Sequence, residues 1–193
     1  MNPTLDLAPQ AAIVARLAAG VPDDLLTAPT PCPEYRVRHL LGHITGLAVA
    51  FRDAGRKKLG PTTDTPPDSA LPDIGADWRE ELAAALAELP DAWDDPSAWT
   101  GMTRAGGVDL PGEVAGLVAV DELVVHGWDL ARATGQDYTP DPAALRACHA
   151  FLGEAAEDPV RDGIFGPVVP VPDEAPLLDR AIGLSGRDPG WTP

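Results

Sequence analysis

A glutamate and a histidine lie four residues apart in a segment that is otherwise largely apolar. Glu122 and His126 interrupt a run from Pro111 to Thr134 in which apolar residues occupy nearly every helical face. Because burying a carboxylate or an imidazole without a partner costs several kcal/mol, these two groups need a partner. A four-residue spacing turns an α-helix by about 400° and leaves both side chains on one face, about 6 Å apart along the axis. The pair can therefore grip a single cation.

A third candidate ligand comes from an earlier helix. His43 lies on an apolar stripe, three residues after Leu40 and four before Leu47, so its ring is expected to face the core. Three ligands from two helices would leave a coordination position free for water or substrate, as at a reactive rather than a purely structural site. The sequence therefore predicts one divalent metal ion bound by His43, Glu122 and His126.

The same residues have other interpretations. Glu122 and His126 can form a hydrogen-bonded core pair without an ion. His39 and His43 form a second four-residue pair, which could itself hold a metal. Asp129, one turn beyond His126, could accept a hydrogen bond from a ligand ring and orient it. These alternatives stay open at the level of sequence.

Composition limits the partners of the chain. Its 193 residues fit one domain, spanning residues 1–193. The 14 basic and 30 acidic residues give a net charge of −16, which repels nucleic acid and anionic membrane surfaces. Neither a secretory signal nor an uncharged apolar run of roughly 20 residues is present, so a cytoplasmic protein is expected.

The sequence lacks the motifs of several other metal sites and enzyme classes. Cys32 and Cys148 match no Cys/His metal motif and are expected to be free thiols, and His149 is expected to pack or to lie at the surface. The chain has only three serines, with no Gly-x-Ser-x-Gly, no glycine-rich phosphate loop and no His-Glu-x-x-His. Serine hydrolases and nucleotide-binding enzymes are thereby disfavoured.

The spacing of apolar residues predicts the elements that position these groups. Five helices are expected, at 7–19, 37–58, 78–89, 111–134 and 141–157. Prolines predict a rigid connector at 28–33 and an exposed loop at 60–77. Residues 90–110 are expected to be a loop that can hold a short hairpin, and the tail from 159 to be irregular apart from a turn near 177–184.

Two sequence blocks carry a family resemblance. The first is TPCPEYRVRHLLGH at 30–43, and the second is ELVVHGWDLARATG at 122–135. The chain resembles, from about residue 5 to the closing GRDPGW at 186–191, the actinobacterial DinB-like metal-binding proteins related to the mycothiol-dependent maleylpyruvate isomerase N-terminal domain. It departs from the usual pattern at His39, where Asp is common, and at Glu34 and Tyr35, where Gly and Trp are common.

The resemblance implies an all-α fold, a DinB/YfiT-like antiparallel four-helix bundle with short extra helices and an irregular C-terminal tail. It implies a metal, usually zinc with nickel as an alternative after purification, bound by His43, Glu122 and His126. It also implies that the isomerase carries a further C-terminal domain without a counterpart here, so maleylpyruvate isomerisation itself is not supported.

Three functions follow as hypotheses. In the leading one, the metal activates a small-molecule thiol such as mycothiol, which attacks an electrophilic substrate in a transferase or isomerase-like reaction. In the second, the metal stabilises a non-enzymatic binding or regulatory protein. In the third, metal-bound hydroxide hydrolyses a substrate. The protein is expected to be a monomer or a homodimer.

Overall fold

The fold is built almost entirely from helices. The computed structural model describes residues 5–66, 69–156 and 165–193. Within these residues the helices are α1 (Ala8–Ala19), α2 (Val37–Gly55), α3 (Pro61–Asp64), α4 (Trp78–Trp93), α5 (Gly112–Thr134), α6 (Pro142–Ala155) and α7 (Leu177–Leu184). Strands β1 (Met102–Ala105) and β2 (Val108–Pro111) pair as an antiparallel hairpin, with Met102 opposite Pro111. The predicted all-α class is confirmed.

Helices α1, α2, α4 and α5 form the central bundle, in which α1 and α2 each pack against both α4 and α5. Arg79, in the first turn of α4, donates a 2.9 Å hydrogen bond to the carbonyl of Val21, just beyond the end of α1. The α1 and α4 pair is therefore antiparallel. His43, in the first half of α2, lies against His126, in the second half of α5, so α2 and α5 are antiparallel as well. The predicted four-helix bundle is confirmed, and the start of α2 meets the end of α5.

The other two neighbouring pairs run parallel. The indole N–H of Trp93, at the end of α4, donates to the carbonyl of Phe51 near the end of α2. Gln136, just past α5, donates to the carbonyl of Leu17 near the end of α1. Parallel neighbours need a long crossover connection. The described residues 56–66 and 69–77, which include α3, therefore belong to the connection that leads back along the bundle from α2 to α4.

Two tryptophans anchor the start of α5. The ring of Trp93 is almost completely buried and lies 5.1 Å from the ring of Trp99, edge to face. Gly116 allows α5 to approach these rings, since a Cβ at this position would lie 2.5 Å from Cζ3 of Trp99. This contact fixes the end of α5 that is remote from Glu122 and His126.

The prediction that α2 continues to Lys58 is wrong, because the helix ends at Gly55. Lys57 has a positive φ of 54°, which reverses the chain. Its ammonium group donates a 2.8 Å hydrogen bond to the carbonyl of Ala98, at the entrance to α5. A tertiary contact therefore sets the end of this helix.

The prediction that the next long helix ends at Leu89 is also wrong, because α4 continues through Pro90 to Trp93. Pro90 removes one helical hydrogen bond. Burial of Leu89, Ala92 and Trp93 against the bundle compensates for that loss.

The remaining elements differ only slightly from expectation. α5 begins at Gly112 rather than at Pro111, and the turn near 177–184 is the helix α7. The hairpin expected within 90–110 is present but extends to Pro111, and the loop expected at 60–77 contains the short helix α3. The predicted helix end at residue 157 and the start of the tail at residue 159 lie outside the described residues. Among the described helices, none combines the length and apolar character needed to cross a membrane.

Two mid-helix glycines should respond oppositely to the same substitution. Gly116→Ala should lower the free energy of unfolding by about 1–3 kcal/mol, because the new methyl group collides with packed indole rings. Gly46→Ala, in α2, should raise it by about 0.5–1 kcal/mol, since a Cβ there has no neighbour within 4 Å. Urea denaturation measures both, and equal effects would contradict the packing described.

Candidate metal centre

Three side chains converge where the start of α2 meets the end of α5. Nε2 of His126 lies 2.9 Å from Oε2 of Glu122, and Nε2 of His43 lies 3.8 Å from the same oxygen. The two imidazole rings are perpendicular, with centroids 4.8 Å apart. In the described part of the chain, these three residues form the group that could hold a metal ion, with one ligand atom from each lying within 4.8 Å of the others. The structure thus brings together the residues that the sequence selected.

The donor set suits a divalent transition metal. Two imidazole nitrogens and one carboxylate oxygen form the usual protein contribution to an open zinc site. Ligand atoms around a tetrahedral zinc ion are about 3.4 Å apart. Side-chain movements of about 1 Å would bring the three donors to that separation, so these residues fit such an ion without rearrangement of the helices.

One side of the cluster faces solvent. The side chains of His43 and Glu122 are 13% and 26% exposed, whereas that of His126 is 9% exposed. A shallow apolar groove between α2 and α5, lined by Ile44, Leu47, Ala119 and Leu123, leads to Glu122. The groove itself has room for about one water molecule, and the exposed parts of His43 and Glu122 leave the cluster open to solvent on this side.

His39 takes no part in the cluster. Its Nδ1 accepts a 3.2 Å hydrogen bond from the backbone N–H of Arg36, the residue preceding α2. The side chain thereby satisfies one of the unpaired amides around a helix N-terminus. Among the described residues, His39 is outside the group that could hold a metal ion, so this second histidine pair is not a metal site in the structure.

A buried ion pair orients the ring of His126. Its Nδ1 lies 2.9 Å from Oδ2 of Asp129, which is completely buried. Nε of Arg187 contacts both carboxylate oxygens of Asp129, at 2.9 and 3.0 Å. Because an ionised carboxylate only accepts hydrogen bonds, Nδ1 of His126 carries the proton and Nε2 faces the cluster. Asp129 therefore occupies the orienting position expected from its spacing.

Sequence reasoning missed Arg187. It follows α7, 58 residues beyond Asp129, and no periodic pattern connects the two positions. Gly186 adopts a positive φ of 87°, and the backbone N–H of Arg187 bonds to the carbonyl of Ile182. The only sequence signal for Arg187 is the family resemblance of the closing block at 186–191, which does not indicate what the Arg187 side chain contacts.

The charges of the cluster shift two pKa values in opposite directions. Burial would lower the pKa of His126, but hydrogen bonds to Asp129 and Glu122 raise it to about 9. Burial would raise the pKa of Glu122, but the hydrogen bond and charge of His126, together with His43, hold it well below its ordinary value. Without an ion, Glu122 and His126 therefore form a charged pair at neutral pH.

A second buried pair lies behind the cluster. The thiol of Cys148 donates to Oδ1 of Asp121 at 3.3 Å, and both side chains are buried. Burial, reinforced by the charge of Glu122, raises the pKa of Asp121 to about 7. Burial also raises the pKa of the Cys148 and Cys32 thiols. Both cysteines are free, as expected, and neither is activated as a nucleophile.

Comparisons with known proteins agree with the helical fold. The mycothiol maleylpyruvate isomerase N-terminal domain family matches residues 7–131, a range that includes all three candidate ligands but not Arg187. An uncharacterized protein of Mycobacterium tuberculosis, found in two strains, is 28% identical over 177 residues, covering 90% of this chain and 91% of its own.

Two crystal structures share the fold. A histidine-to-alanine variant of the mycothiol-dependent maleylpyruvate isomerase matches with a TM-score of 0.64 and 18% identity, covering 93% of this chain and 88% of the solved one. A second structure of that isomerase matches with a TM-score of 0.54 and 18% identity, covering 76% and 66%. The two matches therefore differ in how much of the isomerase has a counterpart in this chain.

Removing the charge of Asp129 should destabilise the protein. Asp129→Asn leaves the largely buried guanidinium of Arg187, whose side chain is 16% exposed, without its counter-ion, which should lower the free energy of unfolding by about 3 kcal/mol. The exposed Asp91, in α4, provides a matched control, and Asp91→Asn should change it by less than about 0.5 kcal/mol. Similar values for the two variants would contradict the ion pair.

The raised pKa of Asp121 should appear in the pH dependence of stability. Between about pH 4 and 7 the folded state keeps the proton that the unfolded state has lost, so stability from this group falls as pH rises. Asp121→Asn removes this pH-dependent decrease in stability, because the asparagine side chain does not ionise. In chelator-treated protein, the variant should therefore gain up to roughly 4 kcal/mol over the wild type between pH 4 and 8. Parallel pH profiles in urea denaturation would rule this out.

Proposed function

From the premise that the chain belongs to the mycothiol maleylpyruvate isomerase N-terminal domain family, we propose that it is a metal-dependent enzyme that uses a small-molecule thiol. The thiol is mycothiol or a compound like it, and its partner is an electrophilic substrate. The reaction is a transfer of the thiol sulfur or an isomerisation that begins with its addition.

The observation that carries the proposal is the convergence of His43, Glu122 and His126 with one open side. A bound divalent ion, zinc before nickel, would supply positive charge that favours the thiolate form of the thiol at neutral pH. The side chains of the protein would bind and orient this ion. His43, Glu122 and His126 would hold the ion, and Asp129 would keep Nε2 of His126 directed at it.

The proposal concerns thiol chemistry and does not extend to maleylpyruvate. The two solved isomerase structures are 18% identical to this chain, which is likeness of fold alone. Thiol dependence is a property that the name of that isomerase states. A thiol ligand fits the two imidazoles and one carboxylate of the cluster and its solvent-facing side. The identity of the electrophile depends on side chains outside the cluster.

A structural role for the metal is the second candidate. A structural zinc site normally has four protein ligands and is closed to solvent. The described residues supply three, and the side chain of Glu122 is 26% exposed. These observations favour a reactive site over a structural one. Thiol-independent hydrolysis would use the same open donor set, but the family description names mycothiol, which favours the thiol-dependent reaction.

Zinc-loaded protein should accelerate the reaction of mycothiol with an aryl chloride activated by nitro groups. In this reaction the S–H proton is released, the S–C bond forms, and chloride leaves. Glu122→Gln should reduce the enzymatic rate at least 100-fold, because the metal loses its only carboxylate ligand. Product absorbance and proton release in weak buffer report the rate.

His39→Asn provides the control, since His39 caps α2 outside the cluster and asparagine can also accept that hydrogen bond. The rate of this variant should stay within about twofold of the wild type. If millimolar mycothiol neither binds nor reacts faster with the metal-loaded protein, thiol chemistry is wrong. A large drop in melting temperature on chelation would then favour the structural role.

A further inference from the structure

A second cleft, whose lining shares no residue with the metal cluster, lies beside α6. Cys148 faces α5 and contacts Asp121, whereas His149, one residue and about 100° further around the helix, turns away from α5. His149 lines a cavity of about 210 Å³ between α6, residues 168–173 and α7. An apolar cavity of about 150 Å³ can hold benzene. This cleft therefore has room for a small organic molecule.

The walls of this cleft are held in place by backbone contacts. The N–H of Val169 donates a 2.9 Å hydrogen bond to the carbonyl of Gly183 in α7. A Cβ at Gly183 would lie 2.5 Å from Cγ2 of Val171 and 2.6 Å from the carbonyl oxygen of Val169. The segment therefore packs as closely on α7 as a glycine allows.

The described lining combines an apolar wall with two opposite charges. Val168, Val171 and Leu184 supply the apolar surface, and Arg180 and Asp173 supply a cation and a carboxylate. Among the ion pairs of the described residues, neither Arg180 nor Asp173 takes part. Apolar pockets with a few polar groups of this kind orient a bound molecule.

His149 adds a neutral hydrogen-bonding group to the lining, near Arg180. Burial, with the nearby charge of Arg180, lowers the pKa of the His149 imidazole. The ring is therefore uncharged at neutral pH, and it carries one N–H donor and one acceptor nitrogen. A donor beside a guanidinium suits a carboxylate.

We propose that this cleft binds a free α-amino acid with an apolar side chain. Arg180 and His149 would receive its carboxylate, Asp173 its ammonium group, and Val168, Val171 and Leu184 its side chain. Leucine is small enough for the cavity of about 210 Å³, and its ammonium and carboxylate groups lie at one end of the molecule. This inference goes beyond the proposed thiol chemistry and does not depend on it.

Calorimetric titration of the metal-free 193-residue chain with L-leucine tests the proposal. Saturable binding is expected below about 10 mM. Arg180→Gln should weaken it at least tenfold, because the carboxylate loses a charged hydrogen-bond donor. Arg16→Gln, at an exposed position in α1, is the matched control and should leave the affinity unchanged.

Asp173→Asn distinguishes the amino acid from a simple carboxylate. Asp173 is exposed, so this variant should fold. It should weaken L-leucine severalfold but not 4-methylpentanoate, which lacks the ammonium group. The proposal is overturned by absence of saturable leucine binding, by unchanged affinity in Arg180→Gln, or by 4-methylpentanoate binding the wild type as tightly as leucine.

Discussion

The antiparallel contact between α2 and α5 is the constraint on which the rest of the site depends. It places His43 at the level of Glu122 and His126 within an interface that is otherwise apolar. A carboxylate and two imidazoles in such surroundings must pair with one another or share a cation. The 2.9 Å contact of Glu122 with His126 provides the pairing, and the position of His43 turns that pair into a three-donor cluster.

The C-terminal segment belongs to this arrangement, although it lies outside the bundle. Asp129 is completely buried, and an isolated buried carboxylate would be costly. Arg187 supplies the counter-ion, and the ion pair in turn fixes the ring of His126. A residue from the tail therefore acts on the cluster through two side chains, which explains why the tail folds back over α5.

Features that depend on the local spacing of residues could be predicted from the sequence. The i, i+4 pair of Glu122 and His126 and the apolar stripe through His43 were sufficient to select the cluster and the helices that carry it. Arg187 could not be found in this way, because its partner lies 58 residues away and a non-helical turn directs it. The continuation of α4 beyond Pro90 could not be predicted either, because it depends on tertiary packing. Whether an ion occupies the cluster depends on affinities that spacing does not determine.

Zinc titration of chelator-treated protein, followed by calorimetry, measures whether His43, Glu122 and His126 bind one ion. One equivalent of zinc per chain is expected, with affinity reduced at least 100-fold in His43→Ala and nearly unchanged in His39→Asn. Affinity that is insensitive to His43, or failure to bind zinc at micromolar concentration, would contradict the convergence of α2 and α5 on one cation.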